Sequence, residues 1–435
     1  MYPRALQVWG GFVEHSFVIH SQWLDLLALP SRLLSAMPRL LMLVISVTIM
    51  HVLAYNNGMA RKPPLGWQTW CSAGVCGTDH CFDYQIKDTA TAMVDNGMHA
   101  LGYEWILLDD CWHPSRDADG RLVPHKEFFP DGMVPVIDYV HSLGLKFGLY
   151  TSVGDKTCHG GWSPGSYGYY DQDAQLFASW GVDYVKIDYC GDHDSAEGHA
   201  NFSRALNQTG RPILLELCRG PYASQPGWGY APAIAQVWRA TGDHKDAFDS
   251  TLAQVKALSD HSVAGSYSKP YGWATGDMLM TGGEGCKLYD AHTPKHCPKQ
   301  TDAEYRTEFT LYSVLSAPLM IGTDIRLMTP IMNELILNQD ALRVNQDIDT
   351  LPGSLVKMCG QDAYVRKLSD GKVAIALPNL GSANSSMVAC LPEVGITGRA
   401  SIRDIWAVKD EGVFSGNYSA IVQTHDTLFL LVTPQ

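Results

Sequence analysis

The sequence predicts an α/β protein, a (β/α)8 TIM barrel followed by a small C-terminal antiparallel β-sandwich domain. Short apolar runs alternate with amphipathic segments from about residue 65 to residue 345, the strand-then-helix rhythm of a parallel sheet. Eight such runs fall within ~280 residues, the size of a TIM barrel. After Asn345 the pattern changes to alternating segments, AYVRKLSDGKVAIALPNL and DTLFLLVTPQ, with turn signals at Ser369-Asp370-Gly371 and Ser415-Gly416. These read as antiparallel strands. The expected organisation is a leader over residues 1–54, a barrel over 55–350 and a β-domain over 351–435.

The leader comes first. Leu40–Met50 reads LLMLVISVTIM, uncharged and apolar, after Met37-Pro38-Arg39 and before Val52-Leu53-Ala54. A basic flank, an apolar centre and small residues beyond it make a secretory signal, and the run is short for a membrane span. Met37 is then read as the initiator, with residues 1–36 upstream of it. The alternative is a signal anchor with a short cytoplasmic tail. Four sequons begin at Asn201, Asn207, Asn384 and Asn417, and behind a signal they read as glycan sites on surface loops.

The barrel strands are expected to end near Trp70, Asp109, Tyr150, Asp188, Leu217, Trp238, Met280 and Ile321. Helical patterns fill the gaps, among them FPDGMVPVIDYVHSLG (129–144) and AQLFASWG (174–181), the second stopped by Gly181.

Composition narrows the chemistry. With 45 acidic against 32 basic side chains the net charge is −13, which argues against non-specific nucleic-acid binding. Apolar residues make up 46% and charged ones 18%, which excludes a disordered or fibrous chain. The 11 cysteines read as disulfides in a secreted protein, even though Cys71, Cys76, His80 and Cys81 imitate metal-ligand spacing. An odd count leaves at least one thiol over. No HExxH, Walker-type loop or GxGxxG occurs, and no metal or cofactor is called for.

Polar residues just beyond the strands of such a barrel point into its mouth. The second strand ends in Asp109 and Asp110, and the fourth carries Lys186 and Asp188. The sixth carries Arg239 and Asp243, and the seventh Asp277. Trp67, Trp70, Trp112, Tyr150 and Trp273 stand at neighbouring strand ends. Carboxylates and a lysine suit the hydroxyls of a sugar, aromatic planes suit the apolar face of a pyranose, and two further carboxylates can cleave a glycosidic bond. Asp188 is the nucleophile candidate, because Lys186 projects from the same side of the strand and a nearby cation favours the ionised carboxylate. Asp243, in a glycine-containing loop after the sixth strand, is placed where a proton donor could reach across the substrate. Glu216 on the fifth strand is the rival carboxylate. Asp277, Asp246 and Asp249 look like structural or capping residues, Asp183 caps or faces solvent, and His159 and His193 are hydrogen-bonding loop residues.

The motifs in order resemble glycoside hydrolase family 27, the α-galactosidases and α-N-acetylgalactosaminidases. They are Pro64-Leu65-Gly66-Trp67-Gln-Thr-Trp70, Leu108-Asp109-Asp110-Cys111-Trp112, Arg121-Leu with Phe129-Pro130-Asp131-Gly132, Gly148-Leu-Tyr150, Gly154-Asp-Lys-Thr-Cys158, Val185-Lys186-Ile-Asp188-Tyr-Cys190, Ser316-Ala317-Pro318-Leu319-Met320 and Val344-Asn345-Gln346-Asp347. The resemblance covers about residues 63–350 and, more weakly, the β-domain.

The resemblance implies a barrel with a C-terminal β-domain and hydrolysis with retention. It implies that Asp188 is the nucleophile and Asp243 the acid/base, and that Trp70, Asp109, Asp110, Tyr150, Lys186 and Arg239 bind the sugar. By the same resemblance Asp109 and Asp110 take its O4 and O6 side, and Cys158 pairs with Cys190 beside the nucleophile. Cys111 is expected with Cys76, Cys71 with Cys81, Cys286 with Cys297 and Cys359 with Cys390, leaving Cys218 over. After the fifth strand, where the family carries Glu-Trp or Ser-Trp behind the cysteine to read the sugar C2 substituent, this chain has Cys218-Arg219-Gly220-Pro221-Tyr222. Cys218 and Arg219 of this loop are counted with the substrate contacts, as is Asp277 of the seventh-strand motif. A bulky Tyr222 should crowd an N-acetyl group and favour plain galactose. The seventh-strand motif, Trp273-Ala-Thr-Gly-Asp277, also departs from the family's Trp-Asn-Asp-Pro-Asp, and residues 283–300 form an extra loop with two cysteines.

The expectation is a secreted, retaining α-galactosidase acting on a terminal α-galactoside, without nucleic-acid or membrane partners in the mature form. Its destination would be extracellular, vacuolar or lysosomal, and its oligomeric state is left open, a homodimer being one option. The rivals are a β-L-arabinopyranosidase or α-N-acetylgalactosaminidase on the same scaffold, and a non-catalytic carbohydrate-binding barrel.

Overall fold

The computed structural model describes residues 57–72, 81–159, 163–219, 229–260, 268–284 and 299–435. The apolar leader, with Met37, lies outside them. Eight parallel strands form one sheet: β1 (Leu65–Gln68), β2 (Trp105–Leu108), β3 (Lys146–Ser152), β4 (Tyr184–Asp188), β5 (Leu214–Leu217), β6 (Val237–Arg239), β7 (Trp273–Thr275) and β8 (Leu319–Ile321). Their spatial order is β8-β1-β2-β3-β4-β5-β6-β7, and a parallel bridge between Leu279 and Ile321 brings the two ends together. This is the (β/α)8 barrel.

Strand pleating separates two kinds of side chain. Ile106, Leu108, Val185, Ile187, Leu215 and Leu217 join the large core shared with the surrounding helices. Trp105, Leu107, Tyr184, Leu214, Val237 and Met320 form a separate cluster inside the ring. Continuing that inward parity along β4 carries the chain from Tyr184 to Lys186 to Asp188, from an apolar floor to a charged mouth.

The expected elements shift at their edges. The 129–144 pattern yields a helix only over Val134–Ser142. The 174–181 pattern extends back to Tyr170 and ends on Gly181 at φ 86°, a left-handed stop that glycine takes without penalty. The seventh strand ends at Thr275 rather than near Met280. Asp277 adopts φ 75°, which ends the extended run, and the apolar Met278-Leu279-Met280 stretch is spent on closing the barrel. Asn201 and Asn207 lie on the helix Ala196–Gln208 rather than on a loop.

Residues 354–434 form a six-stranded antiparallel sheet and a two-stranded one. One face of the larger sheet, including Ala374, Ala376, Phe429 and Leu431, enters the barrel's core cluster. The other face builds the sandwich core with Met387, Ala389 and Leu391. The helix Asp302–Val314 lies between barrel and sheet, which explains why it is buried along most of its length. Trp406 Nε1 donates to Thr310 Oγ1 at 2.9 Å across this seam. Among the described residues no helix is long and apolar enough to cross a membrane.

The disulfides correct part of the expected pairing. Cys158 joins Cys190, as the resemblance implied, and Cys359 joins Cys390, the pair expected among the remaining cysteines. Cys111 joins Cys81 rather than Cys76, which also overturns Cys71–Cys81. Asp83 N–H donates to the Phe128 carbonyl, and His125 N–H to that of Trp112. These bonds lay the segment carrying Cys81 beside the loop that follows β2. Cys71 is itself disulfide-bonded, and Cys76, Cys286 and Cys297 lie outside the described residues. Cys218 is a buried thiol.

Candidate active site

The ends of β2, β3 and β4 bring the first group of acids together. Lys186 Nζ donates to Asp109 Oδ2 at 2.7 Å, with both side chains almost fully buried. Burial works against the ammonium, but Asp109, aided by Asp277 and Glu216, overcomes it and holds the Lys186 pKa well above its ordinary range. Asp109 is further fixed from its backbone, whose N–H donates to Thr69 Oγ1 at 2.9 Å. Asp110 N–H donates to Asp109 Oδ1 at 2.8 Å, and Asp110 Oδ2 accepts the His159 N–H at 2.7 Å. Burial, with a smaller push from Asp109 and Asp188, raises the Asp110 carboxyl to about 7 despite that hydrogen bond.

Asp188 sits at the top of β4, half-buried. Its Oδ2 accepts the Tyr150 hydroxyl hydrogen at 2.8 Å and its Oδ1 the Tyr189 N–H at 3.0 Å. Burial raises its pKa, while Lys186 and Tyr150 pull it down without cancelling the rise. The Cys158–Cys190 sulfurs and an Asp188 carboxylate oxygen lie within 4.8 Å of one another. Disulfide sulfurs are not thiolates, so this cluster lacks the donor set of a metal site. The disulfide instead ties the loop after β3 to the loop after β4. Gly154 makes the close approach between them possible, because a Cβ there would stand 2.1 Å from the Cys190 carbonyl oxygen.

The ends of β6 and β7 supply the second group. Arg239, buried, reaches Asp243 at 3.2 Å and Asp277 at 3.3 Å. The Asp243 side chain is 80% exposed, open to an incoming ligand. Asp277 is buried, and its Oδ2 accepts the His244 N–H at 2.9 Å. Burial would raise the Asp277 pKa, but Arg239 and Lys186 bring it below its usual value.

Other expected residues fall elsewhere. Glu216, the rival carboxylate, lies deeper in the ring, where Tyr184 donates to its Oε2 at 2.5 Å. Of the five strand-end aromatics, Trp70 and Tyr150 border the acids, and Trp70 packs edge-on against His159. Trp67, Trp112 and Trp273 are fully buried and donate their indole N–H to the carbonyls of Thr323, Tyr150 and Ala60. They are scaffold residues. Asp183 binds His141 and Arg211 rather than facing solvent. Asp246 accepts from Tyr305, Asp249 Oδ1 accepts the neighbouring Ser250 N–H, and His193 stacks on Tyr167.

Arg219 pairs with Asp194 at 3.0 Å and lies 3.6 Å over the Tyr189 ring, so it braces the loop that follows Asp188. Gly220, Pro221 and Tyr222 lie outside the described residues, as does most of the 283–300 loop. Tyr189 and Asp194 of this brace are not among the residues expected from the sequence; a tyrosine following Asp188 was the available signal. A cavity of about 590 Å³ opens beside Leu65, Trp105 and Lys146, at the strand starts and so at the opposite end from these acids.

A TIM barrel with such an acid-rich mouth, backed by a β-sandwich, is a glycoside hydrolase architecture. The family model described as Alpha galactosidase A matches residues 62–347, and the alpha-galactosidase C-terminal beta sandwich domain matches residues 359–432. The chain belongs to the alpha-galactosidase family. An alpha-galactosidase from Coffea arabica is 38% identical over 385 residues, covering 87% of this chain and 96% of that one. One from Cyamopsis tetragonoloba is 36% identical over 386 residues, covering 87% and 88%. The crystal structure of alpha-galactosidase I from Mortierella vinacea aligns with TM-score 0.75 and 28% identity, over 87% of this chain and 100% of that one.

Proposed function

We propose that this enzyme is a secreted, retaining α-galactosidase that removes a terminal α-linked galactose. The observation that carries the mechanism is the double anchoring of Asp188 by Tyr150 and Tyr189. It aims both carboxylate oxygens from a rigid strand end, which a nucleophile requires.

In the first step an Asp188 oxygen attacks the anomeric carbon, and the glycosidic C–O bond breaks. Asp243 gives its proton to the leaving oxygen. In the second step Asp243 takes a proton from water, whose oxygen attacks the anomeric carbon and releases Asp188. Retention expects the two carboxyl groups ~5–5.5 Å apart across the bond. The buried Lys186–Asp109 pair, with Asp110 beside it, presents acceptors and a cation to the sugar hydroxyls. Both acids standing together support galactose, whose C6 hydroxymethyl β-L-arabinopyranose lacks. Disulfides fit passage through the secretory pathway, with an extracellular, vacuolar or lysosomal destination.

The test uses nitrophenyl α-galactoside, β-L-arabinopyranoside and α-N-acetylgalactosaminide side by side. Preference for the α-galactoside is expected. Preference for either other glycoside overturns the substrate reading, and absence of hydrolysis of all three overturns the catalytic one.

A further inference from the structure

Asp243 is exposed and meets Arg239 at 3.2 Å, and the backbone on either side of it sets where its carboxyl starts from. On one side the Gly242 carbonyl accepts from Gln254 Nε2 at 2.9 Å. On the other side stands His244, a buried histidine that the mechanism does not use. Its N–H is held by Asp277 at 2.9 Å. Its ring spans two further anchors, with Nδ1 2.9 Å from Ser250 Oγ and Nε2 2.8 Å from Glu308 Oε1. The Lys245 N–H donates to Ser250 Oγ at 3.0 Å, which leaves the serine hydrogen for Nδ1. The tautomer with hydrogen on Nε2 then satisfies both neighbours.

Glu308 is fully buried on the helix Asp302–Val314. Besides His244 it accepts from the Met280 N–H at 3.0 Å, Thr281 Oγ1 at 2.9 Å and Gln300 Nε2 at 3.3 Å. One carboxylate therefore collects the loop after β6, the loop after β7 and the helix before β8. A buried carboxylate with so many donors has one low-energy arrangement, since any shift leaves a polar group unpaired.

We infer that His244 and Glu308 are positioning residues for proton transfer: they fix the Asp243 backbone so that its carboxyl meets the leaving oxygen. This rests on the reading of Asp243 as acid/base. A displacement of about 1 Å at such a group costs on the order of 10²-fold. The loss should fall on substrates whose leaving group needs protonation. An activated aryl leaving group departs largely unaided.

The experiment compares kcat/KM for melibiose and for 2,4-dinitrophenyl α-galactoside in Asp243→Asn, His244→Leu and His244→Gln. Asp243→Asn calibrates the assay and should lose far more on melibiose. His244→Leu is expected to lose on the order of 10²-fold on melibiose and under tenfold on the aryl substrate. His244→Gln, whose amide N–H can still reach Glu308, should recover most of that loss. Ser250→Ala and Glu308→Gln read the same ratio if His244→Leu does not fold. Equal losses on both substrates, or none, in these variants overturn the inference while the Asp243 split leaves its acid/base role standing. If Asp243→Asn itself shows no split, the acid/base reading falls, and the inference with it.

Discussion

The Tyr150 hydroxyl donates to Asp188 Oδ2 at 2.8 Å, joining the end of β3 to the end of β4. The residues are 38 apart in sequence but neighbours in the sheet, where Tyr150 pairs with Lys186 and Ser152 with Asp188. The bond favours the ionised carboxylate and opposes the rise that burial imposes on Asp188.

Tyr150→Phe removes that bond and keeps the ring. A hydrogen bond to a charged group is worth about 1.5–3 kcal/mol, so kcat/KM should fall roughly 10- to 100-fold. The sign of the pH effect follows. Without the donor the Asp188 pKa climbs further, and the acid limb of the kcat/KM profile moves to higher pH. A profile that drops without moving would mean that Tyr150 acts on the substrate alone.

Asp110 gives the opposite limb. Its carboxyl titrates at about 7, so below that pH it is neutral and can donate to a sugar hydroxyl. Above it, a third negative charge stands beside Asp109 and Asp188. A neutral sugar entering the site excludes more water and favours the uncharged form. The expected result is a decline of kcat/KM on the alkaline side of pH 7, displaced in Asp110→Asn. An alkaline limb of unchanged pKa in Asp110→Asn would contradict this assignment.

His113 ties stability to acid. Burial, with a small contribution from Arg116, lowers its pKa to about 4 despite its contact with the Pro164 carbonyl. The unfolded chain takes up this proton near 6.5 and the folded one near 4. This residue's contribution to stability is therefore present above 6.5 and lost as pH falls toward 4. His113→Gln can keep the donor to Pro164 and removes the titration, so its Tm should fall less steeply between pH 6.5 and 4. Parallel Tm curves for the two proteins would refute the claim.

The strands and the acids at their ends were legible because both obey simple rules. Pleating has period two, so an apolar run ending in Lys186-Ile187-Asp188 states which side chains share a face. What escaped the sequence depended on tertiary placement. Trp67, Trp112 and Trp273 look like platform residues in one dimension, and only their bonds to distant carbonyls reveal scaffold roles. The end of β7 was misplaced because a non-glycine residue, Asp277, takes positive φ. The Cys81–Cys111 pair needed the loop geometry around Phe128, and no sequence pattern links His244 to Glu308 across 64 residues.

The most direct test of the account is covalent trapping with 5-fluoro-α-galactosyl fluoride, followed by peptide mapping of the labelled protein. The reagent reports sugar recognition, the covalent intermediate and the identity of the nucleophile together. The account predicts a single galactosyl adduct on Asp188, absent from Asp188→Asn. Label on Glu216, or turnover of the reagent with inversion and no adduct at all, would contradict it.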